Sequence, residues 1–174
     1  LADLGAEVVK IEGTDGDYTR SSPPFTESGM AIQFAMHNRS KKGITLNLRA
    51  ERGKELLREL IKRFDVLVEN WRPGVTARLG CDYDAVSKIN PGMVMVSISG
   101  FGQTGPYAQY AGDDRVIQAM SGLMEMTGEP DGMPTRVGAA VGDYLAGVHG
   151  ALSAVTALYK RKETGVGEHV DVSI

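Results

Sequence analysis

The sequence predicts an α/β fold, an open parallel sheet with helices on both faces, and three observations lead there. Strand-like and helix-like segments alternate along the 174 residues, the order that builds parallel sheets through helical crossovers. The strand-like runs are short and almost continuously apolar, as strands buried on both faces require. No period of 20–50 residues repeats, which excludes solenoids and propellers.

In chain order, Leu1-Ala2-Asp3-Leu4-Gly5 reads as the last turn of a helix with its glycine stop, and a β-rich run follows over residues 6–11. Residues 12–29 are rich in Gly, Asp, Thr, Ser and Pro; this loop contains Gly16-Asp17-Tyr18-Thr19-Arg20. The turn Asn38-Arg39-Ser40-Lys41-Lys42-Gly43 leads into a strand over residues 44–48. Residues 50–63 make the best amphipathic helix, with Leu56, Leu57, Leu60 and Ile61 on one face and charges on the other. A buried-type strand over residues 65–69 runs into Asn70-Trp71-Arg72-Pro73-Gly74 and a short helix over residues 75–80. A second short helix, over residues 84–89, stops at Asn90-Pro91-Gly92 and precedes a strand over residues 93–98. From that strand opens Ser99-Gly100-Phe101-Gly102-Gln103-Thr104-Gly105-Pro106-Tyr107, whose glycine spacing fits neither a Walker nor a dinucleotide fingerprint. A helix over residues 113–126 and a loop to residue 137 complete this part.

The last segment organises the chain. Asp143 follows Gly142 and opens a helix of about twenty residues, in which Leu145, Val148, Ala151, Leu152, Val155 and Leu158 recur at three- and four-residue spacing. Gly147, Gly150, Ala151, Ser153 and Ala154 make one side small, a surface expected to press on backbone supplied from beyond Ile174. Lys160, Arg161 and Lys162 suit a helix C-terminus, Gly165 or Gly167 stops it, and a strand over residues 168–174 follows. At the helix N-terminus, backbone N–H groups and the dipole are expected to cap the Asp143 carboxylate and hold it ionised. An aspartate at that place is commonly only a cap. Small neighbours also leave this one open to a large ligand, so both readings stand.

Composition narrows the function. With 42 % apolar residues the chain can bury the core of one domain, and a net charge of −3 carries no nucleic-acid signature. A single cysteine, Cys81, excludes a disulfide framework and suits a reducing, cytoplasmic setting. No apolar run reaches membrane-spanning length. His37, His149 and His169 share no ligand spacing, so no metal site is expected. His149 lies off the face of Asp143, which argues against an Asp–His relay.

Gly138-Ala139-Ala140-Val141-Gly142-Asp143-Tyr144-Leu145-Ala146-Gly147-Val148-His149 resembles the signature segment of the family III CoA-transferases, a group that includes α-methylacyl-CoA racemase. The loop Ser99-Gly100-Phe101-Gly102 through Gly105-Pro106 and the stretch from Val68-Glu69-Asn70 through Pro73-Gly74 to Arg78 resemble family strings as well, and the likeness spans nearly the whole chain. It implies a Rossmann-like, CoA-binding N-terminal domain, residues 1–174, cut from a larger fold in which two chains interlock as a homodimer. It also implies that Asp143 is the acyl-accepting nucleophile, that Arg20, Leu46, Asn70, Trp71 and Arg78 contact coenzyme A, and that the substrates are an acyl-CoA and a carboxylic acid, with no tightly bound cofactor. Read from the residues alone, Arg20 is a solvated loop cation and Trp71 a half-buried anchor. The family reading gathers Arg20, Trp71 and Arg78 in one groove with Asp143 at its deep end.

The implied reaction passes from an aspartyl mixed anhydride to an aspartyl-CoA thioester. Backbone amides near Gly142 and Tyr144 are candidate oxyanion donors, and the family's glycine-rich loop over the thioester is expected beyond Ile174, which leaves the piece alone inactive. Two rival readings remain. Racemisation α to a thioester needs two acid–base groups. Family racemases carry a histidine where this chain has Asp113 in Ala111-Gly112-Asp113-Asp114, which speaks against that activity. A non-catalytic nucleotide-binding or assembly module is the other.

Overall fold

A computed structural model describes residues 1–174, which divide into two compact units, Leu1–Leu57 and Arg58–Ile174. The first unit opens with a 3-10 turn, Ala2–Leu4, closed by Gly5 at φ 95°, the left-handed conformation that glycine adopts without strain. Strand β1 (Val9–Glu12) pairs in parallel with β2 (Lys42–Thr45), Glu12 lying opposite Thr45. Between them come a 3-10 turn at Tyr18–Ser21 and helix α1 (Ile32–His37). Asp17 caps that turn, accepting the Thr19 N–H at 2.8 Å, and pairs with Lys10. Burial alone would raise the Asp17 carboxyl, but Lys10 and Thr19 outweigh it and bring its pKa to about 2. Helix α2 (Glu51–Ile61) then carries the chain into the second unit.

The second unit holds β3 (Val66–Glu69), α3 (Val75–Leu79), α4 (Tyr83–Ile89), β4 (Val94–Ser99), α5 (Asp114–Met120), α6 (Val141–Thr164) and β5 (His169–Ser173). Its sheet has the order β3-β4-β5, all parallel, with Met95 opposite Leu67 on one side and His169 on the other. The central strand is apolar on both faces because both are covered. Val94 and Val96 form a core with Ala154 and Ala157 of α6, joined by Ile98, Leu158, Val170 and Val172. Each such valine contributes about 1.5–3 kcal/mol by leaving water. The opposite face holds Ser97, whose Oγ is paired with His169 Nε2 at 2.8 Å; His169 stacks on Tyr83 of α4, whose hydroxyl donates to the Gly167 carbonyl at 2.9 Å. That chain of partners is what lets a serine sit in the sheet interior.

The parallel α/β class is as the sequence predicts, with the strands paired in two sheets, one in each unit. Some bounds differ, and β1 lies at 9–12 rather than 6–11. Strand β2 lies at 42–45 rather than 44–48, α5 ends at Met120 rather than residue 126, just ahead of Gly122 at φ 80°, and α1 lies in a stretch for which no element was expected. No helix is long and apolar enough to cross a membrane.

Candidate active site

Helix α6 runs antiparallel to β4. Gly150 sits against Val96 and Ile98, while Ala154 and Ala157 sit in the core with Val94 and Val96, so the N-terminal turn of α6 emerges beyond the carboxyl end of the strand. That edge is where open parallel sheets gather ligands. The approach needs Gly150, since a β-carbon there would stand 3.1 Å from Ile98 Cδ1. Most of the small face of α6 is thus taken up inside the chain: Ala146, Gly150, Ala154 and Ala157 are buried, whereas Gly147 is exposed with nothing near it. The expectation that this side presses on backbone from beyond Ile174 is corrected at Gly150 and Ala154, which β4 already covers. At the far end, Gly165 at φ 71° stops the helix, and Arg161 donates to the Gly92 carbonyl and the Asp65 carboxylate, both at 2.8 Å.

Asp143 is in the first turn of α6 but does not cap it. The N-cap is Ala140, without a side-chain hydrogen bond, and Asp143 is the third helical residue. The capping acceptor comes from α5 instead: Asp114 Oδ1 receives the Gly142 N–H at 2.8 Å. Glycine at 142 suits this contact, because a β-carbon would lie 3.2 Å from that oxygen and 2.8 Å from Ile174 Cγ2, so those side chains would have to shift. Asp143 is accordingly open to solvent, and its carboxyl is raised above the usual range, by partial burial first and then by the charges of Asp114 and Asp113. The expectation that backbone donors of the helix cap this carboxylate is therefore corrected: its environment raises its pKa rather than lowering it. The oxyanion donors are corrected too, since the Gly142 N–H is engaged by Asp114 and the Tyr144 N–H donates to the Ala140 carbonyl at 3.0 Å.

Asp113 caps α5, accepting from the N–H groups of Arg115 and Val116 and from the Arg115 guanidinium, which first among these causes lowers its pKa. The glycine-rich loop after β4 folds back on β5: Gln103 N–H donates to Asp171 at 2.8 Å, and Gly100 and Gly112 meet backbone to backbone. At the end of β3, Glu69 accepts the Trp71 N–H at 2.8 Å, leaving the indole 38 % exposed beside an exposed Asn70. Arg78 lies in the last turn of α3 with its side chain in solvent. A cavity of about 540 Å³ opens between α5, α6 and the end of β5, lined by Ile117, Gln118, Leu145, His149 and Ile174 among others.

In the first unit, Arg20 is not a loose loop cation. Its Nε and Nη2 both donate to Glu12 at 2.8 Å, and its guanidinium lies 3.8 Å from the centre of the Phe34 ring. Glu12 is the last residue of β1; its backbone carbonyl accepts the Leu46 N–H at 2.9 Å. One residue therefore fixes both Arg20 and Leu46 at the carboxyl end of the strand pair. The sequence reading missed Glu12, Phe34, Asp114 and Gln118. The two carboxylates and the glutamine are buried polar groups, a property that pattern alone does not display.

A model of CoA-transferase family III matches residues 1–174. The chain belongs to this family. It is 47 % identical over 176 residues to an acetyl-CoA:oxalate CoA-transferase of Acetobacter aceti, covering all of this chain and 45 % of that enzyme. A succinate–glutarate CoA-transferase of Agrobacterium fabrum is 41 % identical over 181 residues, again across all of this chain and 45 % of the relative. A crystal structure of a CAIB/BAIF family protein from Brucella suis superposes with a TM-score of 0.93 at 43 % identity, covering 98 % of this chain and 46 % of that one. The chain spans less than half the length of these relatives.

Proposed function

We propose that the protein containing this chain transfers coenzyme A between carboxylic acids, with Asp143 as the nucleophile. One observation carries the reading. A member of CoA-transferase family III places an uncapped, solvent-open carboxylate at the carboxyl edge of its parallel sheet. The ionised Asp143 attacks the thioester carbonyl of an acyl-CoA; the C–S bond breaks and the thiolate leaves with its electron pair, giving a mixed anhydride. The thiolate then attacks the aspartyl carbonyl and expels the donor carboxylate, leaving an aspartyl-CoA thioester. An acceptor carboxylate runs the two steps in reverse. Atoms and charges balance at each step without an oxidant or a metal. A carboxylate of raised pKa is the better nucleophile once it is ionised, which suits it to this work.

Arg20, Leu46, Asn70, Trp71 and Arg78 are assigned to coenzyme A. In Arg20, Nη1 is the donor not committed to Glu12, and it suits a phosphate oxygen; the exposed Trp71 face suits an adenine ring. The whole protein is proposed to act as an interlocked homodimer. Racemisation is disfavoured because Asp113, in the place of the histidine, is taken up by capping α5 and pairing with Arg115. The test is mass spectrometry of the full-length protein after incubation with oxalyl-, formyl-, acetyl- and succinyl-CoA. A CoA adduct on Asp143 is expected. Turnover without any adduct or hydroxylamine-sensitive ester at Asp143 overturns the assignment.

A further inference from the structure

Asp114 and Gln118 are unusual in this chain. They are polar, nearly sealed from solvent at 7 % and 1 % exposure, and fully partnered. Asp114 Oδ2 accepts from Gln118 Nε2 at 2.8 Å, while Oδ1 accepts the Gly142 N–H at 2.8 Å. Gln118 reaches in two further directions: its Nε2 donates to the Ala139 carbonyl at 3.2 Å, and its Oε1 accepts the Val137 N–H at 2.9 Å. One turn of α5 thereby grips the approach to α6 at residues 137, 139 and 142, immediately before Asp143. The N–H of the second helical residue, Gly142 in α6, is ordinarily taken by the N-cap side chain, and the N-cap here is Ala140, which has no acceptor. The Asp114 carboxylate holds that place instead.

We propose that Asp114, held by Gln118, is a positioning residue for Asp143: it takes the Gly142 amide in place of the N-cap side chain that Ala140 lacks and fixes the turn from which the Asp143 carboxylate projects toward substrate. The proposal rests on the reading of Asp143 as nucleophile. It gives Gly142 a reason as well, since glycine lets the Asp114 oxygen approach its N–H without displacing the Ile174 side chain. The charge of Asp114 acts together with partial burial and Asp113 to keep the Asp143 carboxyl above its usual range. The other ionisable groups around α6 are engaged elsewhere. Arg115 pairs with Asp113, Asp171 accepts from Gln103, and His169 bonds Ser97; on α6 itself His149 bonds the Leu145 carbonyl, and Tyr144 lies next in sequence to Asp143. Strand β4 carries no ionisable group.

The experiment uses the full-length protein and follows acyl transfer across pH, with Asp114→Asn, Asp114→Ala and Asp143→Asn compared with the wild type. Asp114→Ala removes the acceptor and should cut kcat by about a hundredfold, the scale of a misplacement near 1 Å, with KM for acyl-CoA nearly unchanged. Asp114→Asn keeps an acceptor for Gly142 but loses the charge. Because that charge raises the Asp143 carboxyl, the acid limb of its kcat profile should move to lower pH, a shift that a purely structural role would not produce. A folded Asp114→Ala protein with wild-type kcat overturns the proposal. Where that variant does not fold, an Asp114→Asn acid limb at the wild-type pH overturns it instead. Turnover surviving in Asp143→Asn strikes the nucleophile reading itself, so the two failures are distinguishable.

Discussion

Helices α2 and α6 both lay an apolar face inward, yet they are built in opposite ways. In α2 the most buried apolar residues are large, Leu57 and Ile61 at 5 % and 2 % exposure, while Leu56 of the expected apolar face is exposed. Its outward charges are paired, Arg52 with Glu55, Lys54 with Glu51, and Glu59 with Lys62 just past the helix end. In α6 the inward residues are Ala146, Gly150, Ala154 and Ala157, while Leu145, Val148, Leu152, Val155 and Tyr159 point outward, each more than half exposed. Their three–four spacing is that of a helix seam that packs against another helix. The lesson is one of purpose. Helix α2 is finished on the outside, as scaffold; α6 is pressed close to its sheet so that its first turn is fixed, and its large residues are left for something else.

The largest effect should come from the tip of α6. Asp143→Asn in the full-length protein is expected to lower acyl transfer by more than about a thousandfold, while coenzyme A affinity stays within about tenfold, or 1.4 kcal/mol. The amide keeps the shape of the turn and cannot form the anhydride. Isothermal titration beside a turnover assay separates the two, and undiminished turnover would place the chemistry elsewhere.

The inward faces should fail in opposite directions. Leu57→Ala in α2 leaves a cavity and should cost about 2–5 kcal/mol. In α6 the truncation has little left to remove, and enlargement is what hurts. Gly150→Val drives new atoms into Ile98 and Val96 and should cost about 1–3 kcal/mol, in spite of the better helix propensity of the substituent. Urea unfolding of the two variants decides the matter. A stabilised Gly150→Val protein would show that the contact between α6 and β4 has slack.

That asymmetry also explains what the sequence made legible. Periodicity identified α2 and α6, and continuous apolar runs identified β3 and β4, because these signals are local. It could not say which of two apolar sides of α6 turns inward, and the small side was read as a surface for backbone from beyond Ile174 when Val96 and Ile98 already lie against Gly150. The candidate nucleophile was legible from its motif, whereas its environment was not. The bond from Asp114 to Gly142 joins residues 28 apart, and nothing in the local pattern of either predicts it. The α1 helix escaped for a different reason: it is only six residues long, buries none of them and has no side-chain cap at Ala31, so neither length, periodicity nor a capping residue marks it.

The smallest effects on stability should come from the outward faces, where the helices differ in kind rather than size. Replacing Lys62, one residue past α2, with Ala removes an exposed ion pair to Glu59 of that helix and should change stability by about 0.5 kcal/mol or less, with no change in association. Replacing Leu152 and Val155 with Lys in α6 should also leave the unfolding midpoint of the 174-residue chain nearly unmoved, because both side chains already stand in water. Here, however, a second property should change. Leu145, Val148, Leu152, Val155 and Tyr159 form a contiguous apolar stripe, and exposed stripes of that extent draw proteins together and bind hydrophobic dyes. Light scattering at micromolar concentration should find the wild-type chain associated and dye-positive, and the double Lys variant monomeric and dye-poor. A wild-type chain that is monomeric and dye-silent would mean that the outward face of α6 is as finished as that of α2, and the distinction between the two helices would collapse to their inward packing alone.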